Sequence, residues 1–117
     1  MHRYKELNIW IKAVDLSTEI YNVSKTFPQS EVFGLQSQIR RSAVSVASNI
    51  AEGAGRGTDQ SFSNFLSIAA GSLFELETQL IIANNVGFLT DEVLENLKLE
   101  IDHLANMLFK FKSKLSQ

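Results

Sequence analysis

The 117-residue chain contains no cysteine, only one proline and six glycines. The absence of cysteine excludes a disulfide framework and any metal site built on thiolates. With so few residues that interrupt regular structure, we expect long helices joined by short turns. No apolar run approaches the roughly 18 residues of a membrane-spanning helix, and the N-terminal segment lacks the apolar core of a signal peptide. The sequence therefore predicts a cytoplasmic protein that does not enter the membrane.

Apolar residues make up 44% of the chain, while acidic residues slightly outnumber basic ones and give a formal net charge of -2. A chain of this length can bury about two-thirds of its surface in one core without metals or crosslinks. Neither an internal repeat nor strand-like alternation is present. We therefore expect a single domain over residues 1–117.

Apolar residues recur at alternating intervals of three and four in four segments, which is the period of an amphipathic helix. The first segment runs from about Lys5 to Thr26 and stops before Pro28, which cannot continue a helix. Ser30 is predicted to cap the second helix and Thr58 the third, and the fourth helix is predicted to begin after Thr90. Four such helices predict an all-α, antiparallel, up-down-up-down four-helix bundle.

The second helix carries two apolar stripes, although one is enough to pack against a core. Ile39, Val46 and Ile50 lie on the stripe that we assign to the core of the bundle. The other stripe, together with an aromatic residue of the first helix, is predicted to contact a second subunit. This predicted interface comprises Trp10, Phe33, Val44, Ala47 and Ala51.

A carboxylate at Glu77 is unusual, because the helical period turns it toward the core between Leu73 and Leu80. A buried carboxylate needs a partner, and the donors available on the second helix include the Arg40-Arg41 pair. We interpret the set as a structural polar network that fixes helix register, in preference to a catalytic site. Its predicted members are Arg40, Arg41, Asn49, Glu52 and Glu77. For Arg41 and Glu52, a salt bridge between subunits and a solvated surface are alternative explanations.

The up-down topology brings the start of the chain, the turn between the second and third helices and the end of the chain to one end of the bundle. Six basic residues are gathered there: Arg3, Lys5, Arg56, Lys110, Lys112 and Lys114. Such a cluster favours binding of a polyanion, RNA or DNA, although lysines near a helix C-terminus also complement its dipole and keep the surface soluble.

Signatures of catalysis are weak throughout the chain. Glu100 and His103 have the Glu-x-x-His spacing of di-iron bundle sites, but the second such helix that these sites require is missing. There is also no nucleophile elbow and no glycine-rich phosphate loop after a strand. We therefore expect no metal, no cofactor and no enzymatic activity.

Several short polar motifs occur in a characteristic order along the chain. They are Trp10, Phe27-Pro28, Gly34 to Arg41, Asn49 to Gly53, and Gly71-Ser72 with Glu75 to Thr78. In this combination the chain resembles the bacterial four-helix-bundle family of 23S rRNA intervening-sequence proteins. The resemblance implies assembly into rings, with pentamers expected. It also implies kinship with the accessory bundle proteins of diversity-generating retroelements, which partner a reverse transcriptase and nucleic acid.

Taken together, these features predict a non-enzymatic oligomeric bundle. Its expected function is to bind nucleic acid, in particular structured RNA, or a nucleic-acid-processing partner through a basic rim. The alternative is a protein-binding scaffold or accessory subunit without direct contact to nucleic acid. The two differ in their response to salt, because counterion release weakens binding to nucleic acid steeply as ionic strength rises.

Overall fold

Four α-helices account for most of the chain in a computed structural model, which describes residues 2–116. They are α1 (Asn8–Ser24), α2 (Leu35–Ala54), α3 (Asp59–Asn85) and α4 (Asp91–Leu115). Short 3-10 turns at Tyr4–Glu6 and Gln29–Glu31 precede α1 and α2. The described residues contain no strand, so the predicted all-α class and the four-helix bundle are confirmed.

Contacts at the helix ends show that consecutive helices are antiparallel. The Gln36 amide at the start of α2 donates to the Ser24 carbonyl at the end of α1, at 2.7 Å. Gly53 at the end of α2 packs against Phe62 near the start of α3. The Asn84 amide at the end of α3 donates to the Asp91 carboxylate at the start of α4, at 2.8 Å. Because α1 also packs against α4, the four helices form a closed square in chain order.

The predicted apolar stripes form one continuous core. In α3 and α4 the buried positions follow the expected alternation of three and four: Phe62, Leu66, Ala69, Leu73, Leu76, Leu80 and Ala83, then Leu94, Leu97, Ile101, Leu104 and Leu108. The α3 helix is apolar well beyond this stripe, and an 18-residue window within it has a mean hydropathy of 1.4. By length and composition it could cross a membrane, a test that the core helix of a bundle also meets.

The predicted cap at Thr58 and the predicted start of the fourth helix after Thr90 are both confirmed. The hydroxyl oxygens of Thr58 and Thr90 accept hydrogen bonds from the backbone amides of the first turns of α3 and α4. The prediction that Ser30 caps α2 is wrong, because Ser30 lies in a separate 3-10 turn. The backbone amide of Leu35, at the start of α2, instead donates to the Glu31 carboxylate at 2.9 Å.

The helices α2 and α3 approach most closely at Gly53. A Cβ atom placed on Gly53 would lie 2.7 Å from the Cβ of Phe65 and 2.9 Å from Cδ1 of Phe62. Both distances are shorter than carbon atoms tolerate, and the Phe65 Cβ cannot move without the backbone of α3. Only glycine therefore permits this helix spacing.

We predict that Gly53→Ala lowers the free energy of unfolding by about 2 kcal/mol, because the added methyl group forces α2 and α3 apart. Gly71→Ala is the matched control, since a Cβ at Gly71 meets no other atom within 4 Å. That substitution should raise the stability by about 1 kcal/mol through helix propensity alone. Urea unfolding of both variants measures the difference, and equal effects of the two would contradict this explanation of Gly53.

Candidate functional site

Aromatic packing joins three segments of the chain at one end of the bundle. The ring of His2 lies edge-on to the rings of Phe62 and Phe111, with centroids 5.0 and 5.7 Å away. The two phenylalanine rings also contact each other at 5.3 Å. The start of the chain, the beginning of α3 and the end of α4 therefore meet at this end, as the predicted topology requires.

Five of the six predicted basic residues lie in the first and last of these segments, and Arg56 lies in the turn just before α3. We call this end of the molecule the basic pole. Five of the six basic residues are exposed and Lys112 is half-buried. Three carboxylates share the pole, those of Glu6, Glu52 and Asp59. The pole therefore keeps an excess of positive charge although the whole chain is acidic.

Local partners offset part of this positive charge. Arg3 pairs with Glu6 at 3.6 Å, and Arg56 pairs with Glu52 at 3.3 Å while its guanidinium lies over the ring of Phe65. The ammonium group of Lys112 donates to the Ser67 hydroxyl. Within residues 2–116, Lys5, Lys110 and Lys114 have no carboxylate at ion-pair distance. These three lysines are the groups most available to an external anion.

The opposite end of the bundle is acidic. Asp91 and Glu92 occupy the first turn of α4, where negative charge complements the helix dipole. Glu31 and Glu95 lie nearby in sequence and topology. The basic residues at or near this end are Lys25, Arg40, which bonds to the C-terminal end of α1, and Lys98, which pairs with Glu95 at 3.7 Å. The molecule is therefore polarised along its long axis, which measures 44 Å.

Between the poles, a row of hydrogen-bonded side chains joins α2 to α3. The Ser42 hydroxyl donates to Oε1 of Glu75 at 2.7 Å and also lies 2.9 Å from Oε1 of Gln79. Farther along, the hydroxyl groups of Ser45 and Ser72 are 2.9 Å apart. We call this row the polar seam. Its outer side is an open groove of about 460 Å³ that is also lined by Gln38 and Arg41.

The polar network predicted around Glu77 has a different composition. Glu77 makes no hydrogen bond or ion pair with residues 2–116 and is half-buried. It lies one heptad from Ala70 and Asn84, on the flank of α3 that faces α4, whereas the proposed donors are on α2. The prediction for Glu77 is therefore wrong, because helical period alone does not say which neighbouring helix a flanking residue meets. Glu75 and Gln79, on the other flank, are the residues that bond to α2.

The other predicted members of the network have separate partners. The amide of Asn49 donates to the Ser45 hydroxyl at 3.0 Å, so Asn49 extends the polar seam. Glu52 pairs with Arg56, which lies just beyond the end of α2. Arg41 is exposed at the edge of the groove and has no carboxylate within ion-pair distance among the described residues.

Arg40 closes the C-terminal end of α1 rather than pairing with Glu77. Its Nε donates to the Ser24 hydroxyl at 2.9 Å, its terminal nitrogen donates to the Tyr21 carbonyl at 3.3 Å, and the guanidinium lies over the Tyr21 ring at 4.5 Å. A cation at this position satisfies carbonyl and hydroxyl acceptors that the helix itself leaves free. The buried Ser24 could not be identified from its sequence context, because it becomes buried only when α2 packs on α1.

The predicted subunit-contact residues lie on the surface to different degrees. Phe33 is 98% exposed and Val44 is 41% exposed, whereas Ala47 and Ala51 are half-buried. Trp10 is also half-buried, and its ring packs edge-on against Tyr4 at 5.2 Å, so part of its apolar surface is covered within the chain.

A pair of carboxyl groups lies across the junction of α1 and α4. A hydrogen bond to the Glu100 side chain, partial burial and repulsion by the Glu100 charge raise the pKa of Glu19 to about 7, while Lys12 acts in the opposite direction. Glu19 is therefore half-protonated near neutral pH. Elsewhere in residues 2–116 no three His, Asp or Glu side chains are grouped closely enough to hold a metal ion.

We predict that Glu19→Gln removes a pH dependence of stability. A raised folded-state pKa means that the stabilising, protonated form is complete below about pH 4.5 and is lost as pH rises through about 7. The native protein should therefore lose stability between pH 5 and pH 8, whereas the variant should not. The difference in free energy of unfolding between variant and native protein should shift in favour of the variant by roughly 1 kcal/mol over this range, a modest value because solvent screens the partly exposed pair. Thermal melts at both pH values measure this. Asp15→Asn, an exposed residue of the same helix, is the control, and an equal gain there would refute the assignment to the carboxyl pair.

In general class, this protein is a four-helix bundle. Its two ends carry opposite charge, and polar residues line the junction of one helix pair. The model of the 23S rRNA-intervening sequence protein family matches residues 5–110, and the chain belongs to this family. Among solved structures, a protein of unknown function from the S23 ribosomal protein family of Bacteroides thetaiotaomicron is similar in fold. The TM-score is 0.83 at 24% identity, over 90% of this chain and 95% of that one. A search among curated proteins found no significant match.

Proposed function

We propose that this protein is a non-enzymatic, oligomeric bundle that binds nucleic acid through its basic pole. The observation that carries the proposal is the meeting of three chain segments at one end, which leaves Lys5, Lys110 and Lys114 exposed and without carboxylate partners in residues 2–116. The family description names an intervening sequence of 23S rRNA, and structured RNA is accordingly the ligand class that we favour.

Oligomerisation matters for this function because one pole offers few charges. The basic pole contains six basic and three acidic residues, so its excess of positive charge is small. Each lysine–phosphate contact is weak on its own. In a ring whose subunits are parallel, every basic pole lies on one rim, and several weak contacts act together on one polyanion. The ring, a pentamer by the resemblance to the family, is part of the proposal.

A second candidate function is a scaffold that binds a protein partner, such as a reverse transcriptase or another nucleic-acid enzyme. The observation that favours it is apolar surface, since Phe33 is 98% exposed and Leu99 and Phe109 are each 68% exposed. The affinity of a contact made by such residues changes little with salt concentration. The affinity for phosphates, in contrast, falls by orders of magnitude as the salt concentration rises.

We predict that the triple reversal Lys5→Glu, Lys110→Glu and Lys114→Glu abolishes retention of a structured RNA in a gel-shift at low salt. The physical reason is the loss of the three unpaired cations of the basic pole. Lys112 is left in place because its bond to Ser67 joins α4 to α3. The matched control reverses the three lysines away from the pole, Lys12, Lys25 and Lys98, with the same change in net charge. Thermal melts establish that both triple variants are folded.

Native protein should release the RNA as salt is raised. If the native protein retains neither RNA nor DNA at low salt, or if both triple variants lose binding equally, the basic pole is not the binding site. The scaffold function then replaces it.

We also predict that light scattering gives a mass several times the 13.1 kDa of one chain. The reason is the apolar surface left exposed by the isolated bundle. A monomer at micromolar concentrations would contradict the oligomeric part of the proposal and leave binding by a single pole to be tested on its own.

A further inference from the structure

The open groove on the outer side of the polar seam contains hydrogen-bonding groups that the chain itself uses only in part. Its volume of about 460 Å³ lies within the range of small-ligand sites, roughly 300–1,000 Å³. Its lining consists of Gln38, Arg41, Ser42 and Ser45 of α2 with Glu75 and Gln79 of α3. Because both walls are helices that the seam holds in register, these side chains start from fixed relative positions.

The centre of the groove has more acceptors than protons. Ser42 is only 4% exposed, and its hydroxyl oxygen lies 2.7 Å from Oε1 of Glu75 and 2.9 Å from Oε1 of Gln79. A hydroxyl group has one proton, so Ser42 donates to only one of these oxygens at a time. Turning the Gln79 amide over removes the conflict at Ser42 but still leaves Oε2 of Glu75 without a donor among residues 2–116. A ligand with adjacent donors would satisfy these oxygens.

The α2 wall of the groove supplies donors. The guanidinium group of Arg41 has no carboxylate at ion-pair distance in the described part of the chain. The formal charges of Arg41 and Glu75 cancel within the groove. A lone phosphate would be repelled by the carboxylate and a simple cation by the guanidinium, because like charges brought together are costly. The groove therefore favours a neutral ligand that has donors on one edge and acceptors on the next.

Among the four bases of RNA, guanine has this arrangement. Its base-pairing edge carries two adjacent donors, N1–H and the N2 amine, which one carboxylate can accept together. Its O6 and N7 atoms are adjacent acceptors, and a bidentate arginine is their commonest specific partner. Adenine and cytosine have a single amine beside acceptors on the base-pairing edge, and uracil has a single N–H between two acceptors. None of these three offers two adjacent donors.

We propose that the polar groove binds an unpaired guanine base. The Glu75 carboxylate accepts from N1–H and the N2 amine, and the Arg41 guanidinium donates to O6 and N7. Sequence-specific recognition of RNA ordinarily uses such single-stranded bases, whose edges are free of a pairing partner. The inference rests on the proposed binding of RNA, and it adds which base is recognised and by which residues.

The groove lies within reach of an RNA held at the basic pole. Ser42 is separated from Ala54, the end of α2 at the pole, by about 18 Å along the axis. A few nucleotides of single strand span this distance. None of the six lining residues is aromatic, so a single base gains no stacking energy there and binds weakly alone. Tethering to an RNA on the pole raises its effective concentration.

RNA hairpins that differ in one unpaired base test the proposal. All have the same stem and a single-stranded tail of uridines with one guanosine, and replacing that guanosine by inosine removes only the N2 amine. We expect the native protein to bind the guanosine RNA about tenfold more tightly than the inosine or all-uridine RNA. Fluorescence anisotropy at one fixed salt concentration measures the three affinities. Equal, salt-sensitive affinities would overturn the guanine site and leave the proposed function intact.

Variants of the two contacting residues assign the preference to the groove. Glu75→Gln should bind the guanosine and inosine RNAs equally, because the amide cannot accept from both donors. Arg41→Gln should bind guanosine and 7-deazaguanosine RNAs equally, whereas the native protein should prefer guanosine. The matched control Glu77→Gln makes the same change in charge on the other flank of α3 and should keep every native preference. Thermal melts establish that the variants are folded. A preference that survives Glu75→Gln, or one that Glu77→Gln removes, would overturn the assignment.

Free guanosine monophosphate distinguishes a base within RNA from a free nucleotide. We expect equilibrium dialysis to show at most weak binding that Glu75→Gln abolishes, which together with the preference among hairpins supports a base within RNA. Tight binding of the nucleotide by a protein that retains no RNA would keep the guanine site and overturn the proposed function. Stronger binding of N-acetylarginine amide than of the nucleotide would assign the groove to a protein side chain and overturn the guanine site. Binding of neither RNA nor nucleotide would overturn both proposals.

Discussion

The close approach of α2 and α3 is the constraint on which the rest of the structure depends. Gly53 admits the side chains of Phe62 and Phe65 at one end of this helix pair, and the serines of the polar seam bond across its middle. The two helices are thereby fixed in both spacing and register. This register decides that Phe62 can meet His2 and Phe111, and so brings the three chain segments of the basic pole together.

Polar side chains in this bundle have two different roles. Those of the seam and of the α1 terminus, such as Ser42 and Arg40, satisfy one another within the chain and hold neighbouring helices in position. Those of the basic pole are instead left largely to solvent. A surface charge without a local partner contributes little to stability, but it can bind an external anion at small cost. The proposed function uses this second group.

The proposed oligomer and the proposed binding of nucleic acid support each other physically. Parallel subunits place like charges at one rim, where they repel, and a polyanion on that rim relieves the repulsion.

Sequence alone was enough to predict the four helices, the cap at Thr58, the start of the fourth helix after Thr90, the buried stripes and the gathering of basic residues at one end. These follow from local rules, since helical period, capping chemistry and short turns need no knowledge of distant residues. Tertiary structure decided which helix each flanking side chain meets. Glu77 turned toward α4 while Glu75 bonded to α2, and Arg40 found Ser24. It also brought Glu19 against Glu100, residues of helices far apart in sequence. The helical period predicts only which side of a helix a side chain occupies. Hydrogen bonds and pKa shifts depend on distances between helices of a few ångströms, and only the packing of the helices sets these distances.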